Sequence, residues 1–152
     1  MAPSPAFFLA AVARPTTRLR LGPLVYILNL YYPLRLIEEI GMLDHLSGGR
    51  LELGIGRGVS PIELGFFGVG DEARERYEEI SAIVLRGLTH SRLDLNGKYF
   101  TFEDVSMELS RVQKPHPPIW YGLSLPDNSS LRRQPAHEHR RQRPGRCRSR
   151  DH

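Results

Sequence analysis

The sequence predicts an α/β protein with a parallel sheet. Segments with helical spacing of apolar residues alternate with short apolar segments, in the order helix, strand, helix, strand. Residues 18–28 include Leu19, Leu21, Leu24, Val25, Ile27 and Leu28, and this high apolar content is typical of a strand buried on both faces. Parallel strands need crossover connections, and helices between strands supply them.

The first elements follow from local signals. Pro5–Ala13 is predicted to be a helix that ends near Arg14-Pro15, because the residue before a proline disfavours helix. The strand 18–28 follows. Pro33 suits the first position of the next helix, whose apolar residues recur on one side.

The segment Asp44–Gly58 contains a helix end, a glycine turn and a strand. Gly48 is placed to take the left-handed conformation that ends a helix. Arg50–Ile55 alternates polar and apolar residues and is predicted to be a strand. Glycines at 54, 56 and 58 then remove side chains where that strand stops.

The second half supplies one more helix, a hairpin and a strand. Asp71 is expected to cap a helix that continues to about Leu88. Asn96-Gly97 between two apolar segments is a strong signal for a two-residue hairpin turn. A proline-rich segment leads into a predicted strand at Ile119–Gly122.

Gly56 and Arg57 are candidate ligand-binding residues. Ligands of α/β proteins bind beyond the carboxyl ends of the strands. Gly56 allows close approach to the backbone, and Arg57 offers paired donors to a phosphate or carboxylate. The alternative is a flexible turn and a solvated charge. The spacing is not the dinucleotide fingerprint, because Val59-Ser60-Pro61 follows instead of a helix start.

The charge distribution separates the chain into a body and a tail. The formal net charge of the 152 residues is +4. Residues 131–152 hold eight arginines and two acids, so residues 1–130 hold 13 basic and 15 acidic residues and carry a charge of −2. The charge of the body therefore gives no support for a nucleic-acid surface. The single cysteine, Cys147, excludes an internal disulfide and fits a cytoplasmic location.

Two adjoining motifs resemble those of the bacterial luciferase-like flavin-dependent monooxygenases. They are Leu43–Arg50 and Leu53–Gly58. Further agreement lies at Arg20–Gly22, Pro33, Phe67-Gly68 and Gln113–Trp120. The resemblance implies a (β/α)8 TIM-type barrel, of which this chain would hold about strands three to five. The first two strands, which carry the family's catalytic histidines, and the last three are not expected here, since such barrels need about 250 residues.

The expected domains are a partial luciferase-like barrel domain at 1–128 and a disordered Arg-rich tail at 129–152. The tail lacks the apolar residues that offset ordering entropy. A shifted reading frame explains best why the composition changes and the resemblance ends at one point. A basic arm for polyanions and a natural functional terminus remain open as alternatives.

The resemblance also implies the site. Leu24 and Val25 align with a strand bulge behind the flavin ring, often built around a cis peptide. Gly56 and Arg57 align with the glycine-rich strand end near the cofactor and its phosphate arm, and Ser124 with a phosphate-contacting loop. The implied cofactor is reduced FMN or coenzyme F420. No catalytic residue is assigned, and no metal-ligand cluster is recognised.

Two hypotheses follow for function. The first is a luciferase-like monooxygenase or oxidoreductase that acts on a small organic substrate, is supplied by a flavin or deazaflavin reductase, and belongs to a family that is often dimeric. The second is a non-catalytic product, either a truncated relic or a basic-tailed binding module. Whether this chain is itself an enzyme is left open. No segment suits a membrane span.

Overall fold

A computed structural model describes residues 4–122 and 131–133 of the chain. Its helices alternate with strands, as predicted. In chain order the elements are α1 (Pro5–Ala13), β1 (Tyr26–Ile27), a 3-10 turn (Leu28–Leu30), α2 (Pro33–Ser47), β2 (Leu53–Gly56), α3 (Pro61–Gly65), α4 (Ala73–Thr89), β3 (Arg92–Asn96), β4 (Thr101–Ser106), β5 (Ile119–Gly122) and β6 (Leu131–Arg133).

The main sheet has the strand order β1-β2-β5-β6. β1, β2 and β5 run parallel, with Tyr26 opposite Ile55 and Gly54 opposite Trp120. This confirms the predicted parallel sheet. β3 and β4 form a separate antiparallel hairpin.

The hydrophobic core lies between the main sheet and helices α2 and α4. Leu51, Leu53 and Ile55 alternate along β2 and the two residues before it, and each is at most 1% exposed. They belong to the same cluster as Ile40 of α2 and Ile83 of α4. Because side chains alternate across a strand, the residues between them face the other side of the sheet.

The first predicted strand is shorter than expected. Of residues 18–28 only Tyr26–Ile27 form a ladder, with one isolated pair between Leu21 and Leu51. Pro23 interrupts the segment, because proline has no N–H to donate to a neighbouring strand. The chain then turns at Leu28–Leu30. The strand predicted at Arg50–Ile55 likewise forms its ladder later, at Leu53–Gly56.

The predicted capping role of Asp71 was wrong. The residue before α4 is Glu72, which is itself in helical conformation and provides no side-chain cap. Its carboxylate instead accepts the N–H of Gly70 at 3.1 Å. The carboxylate that accepts an N–H group near the start of α4 is therefore that of Glu72, and the bond is to the turn before the helix instead of to the helix itself.

The hairpin is present, but its turn is not the predicted two-residue turn. Asn96 pairs with Thr101, so four residues form the loop. The Glu79 carboxylate of α4 accepts the N–H groups of Lys98, Tyr99 and Phe100 at 2.8–3.2 Å. This contact from a distant helix selects the wider loop.

The structure departs from the predicted disordered tail at three residues. Leu131–Arg133 pair antiparallel with β5. An edge strand offers unpaired N–H and C=O groups, and β6 satisfies those of β5. The rest of the predicted tail lies outside the described residues, so its disorder stays a prediction. In the part of the chain that the structure describes, no helix is long and apolar enough to cross a membrane.

Residues of the motif Leu43–Arg50 connect the segments at the N-terminal edge of the sheet. Gly48 has φ 61°, which confirms its predicted role at the end of α2. The fully buried Asp44 carboxylate accepts the N–H groups of Val112 and Gln113 at 2.7 and 2.9 Å, just ahead of β5. The Arg50 guanidinium donates to the carbonyls of Ala13 and Leu19 at 2.9 and 2.6 Å.

We expect Asp44→Ala to lower the free energy of unfolding by about 3 kcal/mol or more, since it leaves buried donors without a charged acceptor. Urea denaturation followed by circular dichroism measures the change. The exposed Asp71 provides the control, because Asp71→Ala should stay within about 0.5 kcal/mol of wild type. Equal stability of the two variants would contradict the structural role of Asp44.

Candidate functional site

The carboxyl ends of β1, β2 and β5 lie together at one edge of the sheet. On the face opposite the helices, β2 carries Gly54 and Gly56. A Cβ built on Gly56 would lie 2.6 Å from Cγ2 of Val25, and one built on Gly122 would lie 3.7 Å from Cγ1 of the same residue. Val25 therefore packs across the ends of both neighbouring strands.

The glycines are required by the packing of the chain itself. A Cβ on Gly54 would lie 2.1 Å from the carbonyl oxygen of Pro23 and 3.0 Å from Cδ2 of Leu24. Segment 23–25 can lie against β2 only because β2 lacks side chains here. The result is a flat apolar surface, which we call the glycine face: Leu24, Val25, Gly54, Gly56 and Gly122.

The glycine face is exposed only in part, because Gly54 and Gly56 are buried whereas Leu24 and Gly122 are exposed. Leu24 is 68% exposed although its side chain touches β2. The peptide bond between Leu24 and Val25 is cis, as the resemblance implies. The structure thus brings together three of the predicted site residues, Leu24, Val25 and Gly56. Their contact with a cofactor stays a prediction.

Arg57 follows directly at the edge of the glycine face and is exposed. Its carbonyl oxygen accepts a hydrogen bond from Nδ2 of Asn29 at 3.0 Å, and the same amide donates to the carbonyl of Ala73 at 2.9 Å. Asn29 is buried and ties the end of β2 to the start of α4. It fixes the backbone of Arg57, while Arg57 itself is exposed.

The sequence analysis did not identify Asn29. A single amide inside the apolar segment Leu28-Asn29-Leu30 was the available signal, because buried polar side chains need partners. Its partners lie 28 and 44 residues away, so the sequence could not name them.

Tyr77 of α4 and Tyr121 of β5 are partly buried near the carboxyl edge of the sheet. Burial raises the pKa of Tyr77, while the positive charge of Arg57 acts in the opposite direction. Burial also raises the pKa of Tyr121, with a smaller contribution from Tyr77. Both hydroxyls therefore stay protonated at neutral pH.

Ser124 lies outside the described residues. Nε2 of His45 lies 2.5 Å from the carbonyl oxygen of Ser110, and Nδ1 of His116 lies 2.8 Å from that of Pro117. Both histidines stand ahead of β2 and β5, at the other edge of the sheet. Within residues 4–122 and 131–133, no three metal-binding side chains come together.

Comparison with known proteins assigns the chain to a family. The sequence profile of the luciferase-like monooxygenases matches residues 1–131. The chain belongs to the luciferase-like monooxygenase family.

Relatives of known sequence agree. The chain is 50% identical over 128 residues to the uncharacterized protein y4wF of Sinorhizobium fredii, covering 84% of this chain and 37% of the relative. It is 28% identical over 130 residues to the oxygenase component of the flavin-dependent trigonelline monooxygenase of Acinetobacter baylyi, covering 84% and 36%. The chain thus spans about a third of the length of these relatives.

Solved structures of the family have the same fold. Monooxygenase RslO1 of Streptomyces bottropensis superposes with a TM-score of 0.76 at 36% identity, over 79% of this chain and 37% of that one. The oxygenating constituent of 3,6-diketocamphane monooxygenase of Pseudomonas putida, solved with FMN, gives 0.70 at 22% identity, over 78% and 36%. The coenzyme F420 dependent tetrahydromethanopterin reductase of Methanopyrus kandleri gives 0.69 at 22%, over 82% and 40%.

We expect Gly56→Ala to lower the free energy of unfolding by about 1–3 kcal/mol, because the new methyl group collides with Val25. Urea denaturation measures the loss. Gly65→Ala is the matched control, since a Cβ there meets nothing within 4 Å and alanine suits the helix α3. A Gly56→Ala protein as stable as Gly65→Ala would show that the glycine face is not closely packed.

Proposed function

We propose that this chain forms part of the cofactor site of a luciferase-like oxidoreductase that uses reduced FMN or coenzyme F420. The observation that carries the proposal is the glycine face, whose Leu24 and Gly122 are exposed at the carboxyl edge of a parallel sheet, next to the exposed Arg57. A planar ring system needs such a surface, and its phosphate arm needs a cation at the rim.

The described residues fit the two halves of this cofactor. Leu24 and Val25, which cover Gly54 and Gly56, offer apolar contact to the ring. Arg57 lies one residue beyond Gly56 and can donate two parallel hydrogen bonds to a phosphate. Asn29 holds the backbone of Arg57, so the donor starts from a fixed position. Ser124 is proposed as a further phosphate contact.

The cofactor supplies the redox chemistry when bound, by carrying electrons to oxygen or to the substrate. The chain orients the ring and shields one of its faces from water. No residue is assigned to proton transfer. The substrate is proposed to be a small organic molecule.

A separate reductase is proposed as the supplier of reduced cofactor. The trigonelline relative is named as an oxygenase component, which implies a second component in that system. Relatives solved with FMN and named for F420 support both cofactors for the family. The choice between them depends on the phosphate and ring contacts, so it is open to direct measurement.

Cofactor binding by the isotope-labelled 152-residue chain can be followed by nuclear magnetic resonance. We expect FMN or F420 to shift the resonances of Leu24, Val25 and Gly56 in a saturable way. Contacts from three strands should give a Kd on the order of 1 mM, equivalent to about −4 kcal/mol. Adenosine monophosphate tests for simple anion binding. The absence of saturable shifts on the glycine face with either cofactor would contradict the proposal.

In a protein completed to the full barrel, Arg57→Ala should weaken FMN binding by about tenfold to a hundredfold, because a charge-assisted hydrogen bond contributes about 1.5–3 kcal/mol. Riboflavin, which lacks the phosphate, should bind the variant and the unmutated protein equally. Fluorescence titration of the completed protein measures both ligands.

Arg74→Ala is the matched control, since Arg74 is exposed on α4 and pairs with Glu78 of its own helix. This variant should bind FMN as the wild type does. Equal losses of FMN and riboflavin affinity in Arg57→Ala would show that Arg57 supports the fold or the ring instead of the phosphate.

A further inference from the structure

A polar network continues the glycine face toward the N-terminal edge of the sheet. Nε1 of Trp120 donates to Oε2 of Glu52 at 2.6 Å. The other carboxylate oxygen of Glu52 pairs with the guanidinium of Arg20. One carboxylate therefore joins three segments, namely β5, the residue before β2 and the segment ahead of β1.

The register places this network next to the glycine face. Trp120 lies opposite Gly54 in the parallel pairing of β5 with β2. Glu52 lies two residues before Gly54, and side chains two apart project from the same face of a strand. Trp120 thus lies one layer below Gly56 and Gly122, at the inner end of the surface proposed to hold the ring, and its indole N–H is directed to Glu52 on the N-terminal side.

The network is also fixed from below. The amide nitrogen of Gln113 donates to Oδ1 of Asp44 and to the carbonyl of Leu51 at 2.9 and 2.8 Å. Its amide oxygen is therefore turned away and lies 3.5 Å from the Arg20 guanidinium. Asp44, Gln113, Arg20 and Glu52 form a continuous series that ends at the indole of Trp120.

We infer that Glu52 is a positioning residue that holds the Trp120 indole as the inner wall of the cofactor face, which rests on the proposed function. The side chain of Glu52 is only 21% exposed and the indole is half-buried. Without the carboxylate, the indole N–H lacks its acceptor and the ring is free to turn toward solvent. A fixed indole gives the planar cofactor an aromatic edge to contact.

The chain allows a direct test because it contains a single tryptophan. Its indole N–H gives one resonance, which Trp120→Phe removes and so assigns. Glu52→Ala removes the acceptor, whereas Glu52→Gln keeps an amide oxygen that can accept the indole N–H. Glu38→Ala is the matched control, because Glu38 pairs with Arg35 on the exposed face of α2.

In Glu52→Ala we expect the indole N–H to exchange with solvent at least about tenfold faster, as the loss of a hydrogen bond to a charged group implies. FMN affinity should fall about twofold to tenfold, the range for an aromatic contact. The FMN-induced shift of the indole resonance should shrink. Glu52→Gln should restore exchange, affinity and shift to within about twofold of wild type, and Glu38→Ala should match wild type.

Circular dichroism verifies that Glu52→Ala is folded, and Glu52→Gln provides the comparison if it is not. Unchanged indole exchange in both Glu52 variants would overturn the inference whether or not FMN binds. Faster exchange with unchanged FMN affinity would overturn the positioning role and leave the proposed function intact. Absence of FMN binding by wild type would instead contradict the proposed function.

Discussion

The buried carboxylate of Asp44 connects helix α2 to residues 112–113, which are distant in the sequence and do not pair with α2 through a sheet. Asp44 lies near the end of α2, and its carboxylate accepts the N–H groups of Val112 and Gln113, which are 68 and 69 positions later in the sequence. Because this segment leads into β5, the contact sets where β5 starts relative to β2. The register of β5 against β2 in turn places Trp120 opposite Gly54.

The two edges of the parallel sheet have different tasks. Asp44, Gly48 and Arg50 lie at the N-terminal edge, where they end α2 and hold the segments that lead into β1 and β5. Gly56 and Arg57 lie at the C-terminal edge, where α/β barrels place their sites. The first family motif is therefore a structural signature, and the adjoining glycine motif faces the proposed ligand.

Local physics explains which features the sequence could predict. Pro5–Ala13 and the left-handed Gly48 follow from signals within a few residues, and both were confirmed. The predicted two-residue hairpin loop and the predicted Asp71 cap of α4 were wrong. The carboxylates of Glu79 and Glu72 accept N–H groups of turns, and residue propensities do not describe such contacts. β1 is short because Pro23 interrupts the segment. The prediction gave more weight to the apolar pattern of residues 18–28 than to this proline.

The site was predicted only in part for the same reason. Glycines and an arginine at a strand end are visible in the sequence, and the resemblance pointed to Leu24 and Val25. Asn29, Glu52 and Trp120 acquire their roles from partners that are 28 to 68 residues distant. Nothing in the spacing of these residues indicates that pairing, since it depends on the register of the folded sheet.

A second region of the surface competes with the glycine face as a place for an anionic cofactor. An open groove at the N-terminal edge is lined by Ala13, Arg14, Thr16, Thr17, His45–Gly48 and Arg50. Hydrogen–deuterium exchange with and without FMN at about ten times its Kd separates the two. We predict slower exchange at residues 24–27 and 54–58 and no change at 44–50. Protection of residues 44–50 with none at 54–58 would contradict the assignment of the cofactor to the glycine face.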